Sequence, residues 1–410
     1  MNNDVAILRE LAKEYTGICA DSKNEERRKS WSRHLSKKDG KPLVYTLFGM
    51  CDAWCQEEFG RKNQKCVDPV YKEIERQLRM KIFHASIGDD SIAEPWISVS
   101  AFKKHGDNVW GLKQGYTKSG EQDGAYHMEA AMKSWDDMKK LRAPEHQILE
   151  KETKEKLDKI QSAVGDLITI DLNRAPVCQN ADFAEWTAQL RGLQQIMMDM
   201  YDEPEKLHAL HAFMRDAILA NQEQAEKAGD YSATSPYSQC PIYSEETPWP
   251  KPNQFKAKRE NLWGYCATQE YTLVSPDMHD EFLIQYQLPI LKKNKFIAYG
   301  CCENLTNKID ILRKIPNLMI IAVTPSADVK KCAERIQKDY VISWRPNPAA
   351  MVSVGFDESR VRKIISEGLE TLKGTYFHIN LKDIHTVEGD VTRLPKWAKI
   401  VREEISKKYS

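Results

Sequence analysis

Residues 296–303 read FIAYGCCE: an apolar run stops at Gly300, and Cys301, Cys302 and Glu303 follow without a break. Thiolates are soft metal ligands and strong nucleophiles. Setting them at the end of a buried strand is how an α/β barrel brings chemistry to its C-terminal face. Other strand-like runs end in comparable groups. Residues 262–270 finish in Gln269 and Glu270, and 339–346 in Trp344 and Arg345, with Asn347 just beyond. Residues 375–382 carry His378, Asn380 and Lys382 on alternating positions before Asp383.

Cys301, His378 and a carboxylate from Glu303 or Glu270 would make a three-ligand zinc site with an open fourth position, which lowers the pKa of a bound thiol or water. Plainer roles stand beside these. Neighbours on a strand face opposite ways, so one cysteine of the pair is expected to pack as a small hydrophobe, and Cys302 is the one assigned to it. His378 is equally a core histidine bonded to a carbonyl, although a run of His378, Asn380, Lys382 and Asp383 is too polar for an ordinary buried parallel strand. The segment WRPNP at 344–348 either holds a carboxylate or phosphate under an aromatic cover or is a surface arginine in a stiff turn. No GxGxxG, Walker loop, CxxC or HExxH occurs in a strand–helix context. Cys51 and Cys55 have the wrong spacing for a redox pair and are expected to pack.

These groups need a scaffold. Residues 1–40 read as helix, with Val5, Leu8, Leu11 and Ala12 at helical spacing, and Lys41-Pro42 breaks it before the first strand, LVYTLFG. Residues 61–142 look like insertions, among them the apolar run WISVSAF and a polar, Gly-rich stretch at 103–124. From residue 166 onward strand-like and helical patterns alternate, and five βα units in about the last 150 residues predict a parallel sheet. The expected fold is α/β: a (β/α)8 TIM-type barrel occupying 41–410 as one domain, with an N-terminal helical extension at 1–40 and long inserted loops. The Pro-rich stretch at 235–252 is read as a lid or as a loop packed on the rim.

The 410 residues hold 60 Lys and Arg against 60 Asp and Glu, so no overall field favours nucleic acid or an anionic membrane. Small molecules and protein partners fit better. Ten cysteines at irregular spacing, a charged amphipathic opening and apolar stretches well short of the ~20 residues of a membrane span predict a soluble, cytoplasmic protein with reduced thiols.

Four stretches resemble the uroporphyrinogen decarboxylase-like barrels: LQQIMMDMYDEPEKLHALHAFM (193–214), TQEYTLVSPDMHDEFLIQYQLPIL (268–291), the Gly300-Cys301 strand end, and FHINLKDIHTVEGDVTRLPKWAKIV (377–401). The resemblance spans roughly 165–405. The Arg-rich substrate loop of the decarboxylases proper is missing, so porphyrinogen decarboxylation is not expected. The cobalamin-linked methyltransferase branch places His-x-Cys where this chain has Tyr299-Gly300-Cys301, with a third zinc ligand from the final strand; Cys301 matches and Tyr299 departs.

What the resemblance implies is methyl transfer between a small methylated substrate, such as a methoxylated aromatic, methylamine or methylthiol, and a corrinoid (methylcobalamin) carried by a partner protein. Zinc would be held by Cys301, Glu303 and His378. Glu270, Tyr299, Lys382 and Asp383 are the expected catalytic groups, and Trp344, Arg345, Asn347 and Asn380 the expected substrate contacts. A homodimer is compatible with this reading. The alternatives are a metal-independent decarboxylase or lyase of the same superfamily, holding carboxylates with Arg345 and Lys382, and a non-enzymatic corrinoid-binding protein.

Overall fold

Several strands of this chain are buried on both faces, which is the environment of parallel rather than antiparallel sheets. In the computed structural model, which describes residues 3–38, 40–49, 52–104, 109–118 and 126–409, the runs FIAY, LMIIAV and VISW are buried at every position. The described residues form ten strands: β1 (Leu43–Thr46), β2 (Trp96–Ser100), β3 (Gly115–Lys118), β4 (Tyr126–Glu129), β5 (Thr169–Asn173), β6 (Trp263–Cys266), β7 (Phe296–Tyr299), β8 (Leu318–Val323), β9 (Val341–Trp344) and β10 (Tyr376–Leu381). Six of them make a parallel sheet in the order β1-β10-β9-β8-β7-β6. β2 and β5 make a second parallel pair, and β3 and β4 an antiparallel hairpin.

The molecule is therefore a mixed α/β structure with a mostly parallel central sheet. The run at 96–102, expected inside an insertion, instead supplies β2. It pairs with a strand more than sixty residues away, a partnership that local periodicity does not encode. The Gly-rich stretch at 103–124 contributes β3 of the hairpin; 105–108 and 119–124 lie outside the described residues, as does Cys51.

Helices follow strands with local start signals in place. The Asp328, Asn347 and Asp357 side chains accept backbone N–H bonds at the starts of Val329–Ile336, Pro348–Val352 and Glu358–Thr371. One face of the large sheet packs on these helices through Val44, Tyr299, Ile321, Val323, Ile342, Trp344, Ile379 and Leu381. The other face, with Tyr265, Ala298, Ile320 and Val341, packs on Trp31 and Leu35 of the helix Lys23–Leu35 and on Cys240 and Tyr243 of the long loop.

The N-terminal segment forms two helices rather than one. Asn3–Cys19 packs with Pro69–Ile87, Glu150–Val164, β2 and β5. Lys23–Leu35 inserts Trp31, fully buried, whose indole N–H donates to the Asp90 carbonyl at 2.7 Å. Among the described residues no helix is long and apolar enough to cross a membrane.

Candidate active site

Gly300 makes the site. Its φ of +105° is a conformation L-residues rarely adopt, and an added Cβ would lie 2.8 Å from Ala322 Cβ and 2.9 Å from Leu305 Cδ1. The turn ends the alternation of β7, so the rule that neighbouring residues face opposite ways no longer holds at Cys301 and Cys302. Both thiols face the end of β10. Their sulfurs are 3.5 Å apart, and Lys382 Nζ lies 3.6 Å from Cys301 Sγ and 3.4 Å from Cys302 Sγ. Cys302, expected to pack, is exposed.

Several elements hold Cys301 in place. Glu303, buried, accepts the Cys301 N–H at 2.7 Å and the Thr268 N–H at 2.8 Å, tying the ends of β6 and β7 together. Arg345, buried beyond the end of β9, donates to the carbonyls of Cys301 and Gly300. Asn380 donates to the Gln239 carbonyl at 2.7 Å, and Gln239 Nε2 donates onward to Cys301 Sγ at 3.2 Å and lies 2.7 Å from the Tyr265 hydroxyl. Asp383, in a left-handed conformation with φ +56°, accepts from Lys382 at 2.6 Å, and its carboxylate lies 3.4 Å from the Cys302 sulfur, an alternative acceptor for the one Cys302 S–H.

The electrostatics follow from these contacts. The Cys301 thiol is held well below the ordinary thiol range by its hydrogen bond with Cys302, with the Lys382 charge, the Gln239 donor and the Arg345 charge adding to it against burial. Cys302 is pushed up by the same shared hydrogen bond. Burial and Arg345 work against the Lys382 charge, but Cys301 and Asp383 outweigh them and hold it above an ordinary lysine. At neutral pH the site thus carries a thiolate beside an ammonium.

Two carboxyl groups of this region have pKa values raised to the neutral range. Burial first, then repulsion from Glu185 and other anions, raises Asp182 to about 7. Glu270 rises to about 7 for the same leading reason, with Glu185 and Glu303 adding repulsion. Glu185 and Glu270 line an open cleft of about 870 Å³ with Gln269 and Arg191.

Four expected roles are corrected. His378 does not approach Cys301: its Nδ1 is 3.0 Å from His34 Nε2 and its Nε2 is 2.9 Å from Ser343 Oγ, with Trp31 packed edge-on, so it is a core histidine. Tyr299 points to the helical side of the sheet, where its hydroxyl meets His279 Nε2 at 3.0 Å and Gln287 Oε1 at 3.2 Å. Trp344 faces the same side and fills the space left by Gly368, whose absent Cβ would fall 2.0 Å from the indole. Asn347 caps a helix, accepting the Ala349 N–H at 3.0 Å.

The alternation of β9 contained the Trp344 answer. Ser343 reaches His378 inside, so 344 faces out and 345 in. The expected zinc set is likewise not brought together. Glu303 is spent on backbone N–H groups and His378 on His34 and Ser343, and among the described residues no group of three or more His, Cys, Asp or Glu could hold a metal ion.

The structure does gather Cys301, Lys382, Asp383, Arg345 and Asn380 at the strand ends. It adds two groups that sequence reading missed, Gln239 from the Pro-rich loop and Asp182. Asp182 sits in no recognisable motif, and nothing in its local sequence marks it. Searches of protein-family models and of curated proteins found no match for this chain.

Proposed function

We propose that the protein is an enzyme that moves a methyl group from a small methylated compound to a corrinoid carried by a partner protein, with Cys301 as the nucleophile that takes the methyl first. The observation that carries this reading is the Cys301 sulfur held 3.6 Å from the Lys382 ammonium and 3.2 Å from the Gln239 amide, with two carboxyl groups, Asp182 and Glu270, raised to the neutral range.

A thiolate is a soft nucleophile suited to displacement at a methyl carbon. As the sulfur–carbon bond forms, the bond from methyl to its heteroatom breaks with its electron pair on the heteroatom. Glu270 or Asp182, about half protonated at neutral pH, gives that heteroatom a proton and is left as a carboxylate. Lys382 holds the thiolate before attack, and Arg345 and Glu303 fix the turn that aims it. The partner's corrinoid would supply the nucleophile that removes the methyl from sulfur and restores the thiolate.

The fold that goes with this function is a (β/α)8 barrel. Supporting it are eight parallel strands whose chain order lets β2 and β5 fill the gap between β1 and β6. Cys301, Arg345 and Lys382 all come from the C-terminal strand ends, where barrel active sites lie.

The test is to mix the protein with methylcobalamin, running the transfer backwards, and follow both the visible spectrum and the mass of the peptide holding Cys301. Demethylation of the cofactor with a gain of one methyl at Cys301, absent in Cys301→Ser, supports the reading. An unchanged spectrum and an unmodified peptide overturn it.

A metal-independent decarboxylase is the second reading, favoured by two cations, Lys382 and Arg345, at neighbouring strand ends. It predicts carbon dioxide release from a carboxylated substrate with no mass change at Cys301.

A further inference from the structure

A second cavity, of about 300 Å³, lies between the helix Pro69–Ile87, β1, the segment preceding β2 and the Pro-rich loop. Tyr15, Tyr45, Tyr237 and Tyr243 line it, with Pro241 stiffening one wall, and Lys81 enters from the helix. The volume suits a ligand the size of a single substituted ring.

Lys81 is the unusual feature. Its ammonium sits 5.5 Å from the centre of the Tyr15 ring, and among the described residues it has no hydrogen bond or ion pair. The other charges lining the cavity are already committed. Glu94 is held by Arg28 at 2.8 Å and by the Tyr243 hydroxyl, and His84 by Asp89 at 3.1 Å. On the far side of Lys81 a cavity of about 420 Å³ adds Arg76, and its carboxylate, Glu73, is paired with Lys156 at 2.8 Å.

A partly buried cation whose nearest carboxylates, Glu94 and Asp171, act on it only at a distance is under-compensated, and an anionic ligand in direct contact would relieve that cost. Burial pulls the Lys81 pKa below its ordinary value, against the opposing pull of Glu94, Cys19 and Asp171.

From this geometry we infer that the cavity is a binding site for a small aromatic carboxylate, its carboxylate on Lys81 and its ring between the tyrosines. The site is separate from Cys301, although one loop serves both: Tyr237 and Cys240 line the cavity, and Gln239 between them reaches the thiolate. An occupant would press on the segment that positions Gln239. The inference does not depend on methyl transfer.

Binding of benzoate and of uncharged benzamide to the full chain, measured by calorimetry, tests it. Wild-type protein should bind benzoate at least tenfold more tightly than benzamide. Lys81→Met should lose that preference, Lys81→Arg should keep it, and Lys382→Met should leave it unchanged. Protection needs no variant: benzoate, and not benzamide, should slow reductive methylation of Lys81 in the wild-type protein, read by mass spectrometry. Equal binding of the two probes, a preference that survives in Lys81→Met or vanishes in Lys382→Met, or absence of protection at Lys81 would overturn the inference.

Discussion

The Lys382 ammonium stands 3.6 Å from the Cys301 sulfur and 2.6 Å from the Asp383 carboxylate, a cation shared between a thiolate and an acid at the end of one strand. Removing it should be felt at sulfur first. In Lys382→Met the Cys301 pKa should rise, so the pH at which iodoacetamide alkylation reaches half its plateau moves up; the rate at pH 7 falls only once that midpoint passes 7, by about tenfold for each further unit. Cys302→Ala, which removes the donor, should act in the same direction, because the hydrogen bond from Cys302 is the leading cause of the depression. An unmoved midpoint in both variants would remove the thiolate from the mechanism.

The raised carboxyl groups bear on stability as well as reaction. Asp182 has a folded pKa of about 7, above the ordinary aspartate value. The stability this proton contributes is fully present below the unfolded pKa and is lost as pH rises through the folded pKa. Asp182→Asn should therefore be more stable than wild type at pH 8, by about 1–3 kcal/mol, with a much smaller gain at pH 4. Parallel urea melts at the two pH values read this difference directly.

Histidines of the core give the opposite dependence. Burial holds His34 near 3 and, with His34 and Arg345, keeps His378 well below the ordinary value. Both remain neutral when folded while the unfolded chain takes up protons, so their contribution is present above about 6.5 and drains away as pH falls, by about 1.4 kcal/mol per unit for each histidine. His378→Gln should flatten the acid limb of a stability–pH curve and cost about 1–3 kcal/mol at pH 7.5 through the lost partner of His34. A steep acid limb retained in that variant would assign acid sensitivity elsewhere.

Gly300 should tolerate no side chain. Gly300→Ala meets Ala322 and Leu305 in a backbone conformation unfavourable to alanine, and a loss of about 2–4 kcal/mol is expected in denaturant melts. Any folded fraction should alkylate Cys301 more slowly, because the turn that aims it has moved.

Much of the framework was readable from local pattern. The βα alternation after residue 166 rests on apolar runs and cap residues acting within a few positions, and β6 to β10 fall where those runs are. β2 was misread because its pairing with β5 is a long-range event. Cys301, Lys382 and Asp383 were legible because each follows a strand and is polar where an apolar residue would pack. Tyr299 and Trp344 were misassigned because their chemistry was weighed ahead of their place in the strand alternation. His378 was misassigned because its partner, His34, is 344 residues away on a helix read as an extension.

By itself, then, the chain's sequence determined the parallel α/β character and the presence of thiols at a strand end, since both depend on which residues stand next to one another. Tertiary structure alone decided that Gly300 turns both thiols toward Lys382, that Gln239 reaches in from a loop, and that His378 and Glu303 are spent on structure. Hydrogen bonds and desolvation act on whatever groups folding brings within a few ångströms, and the spacing of residues along the chain carries no record of those encounters.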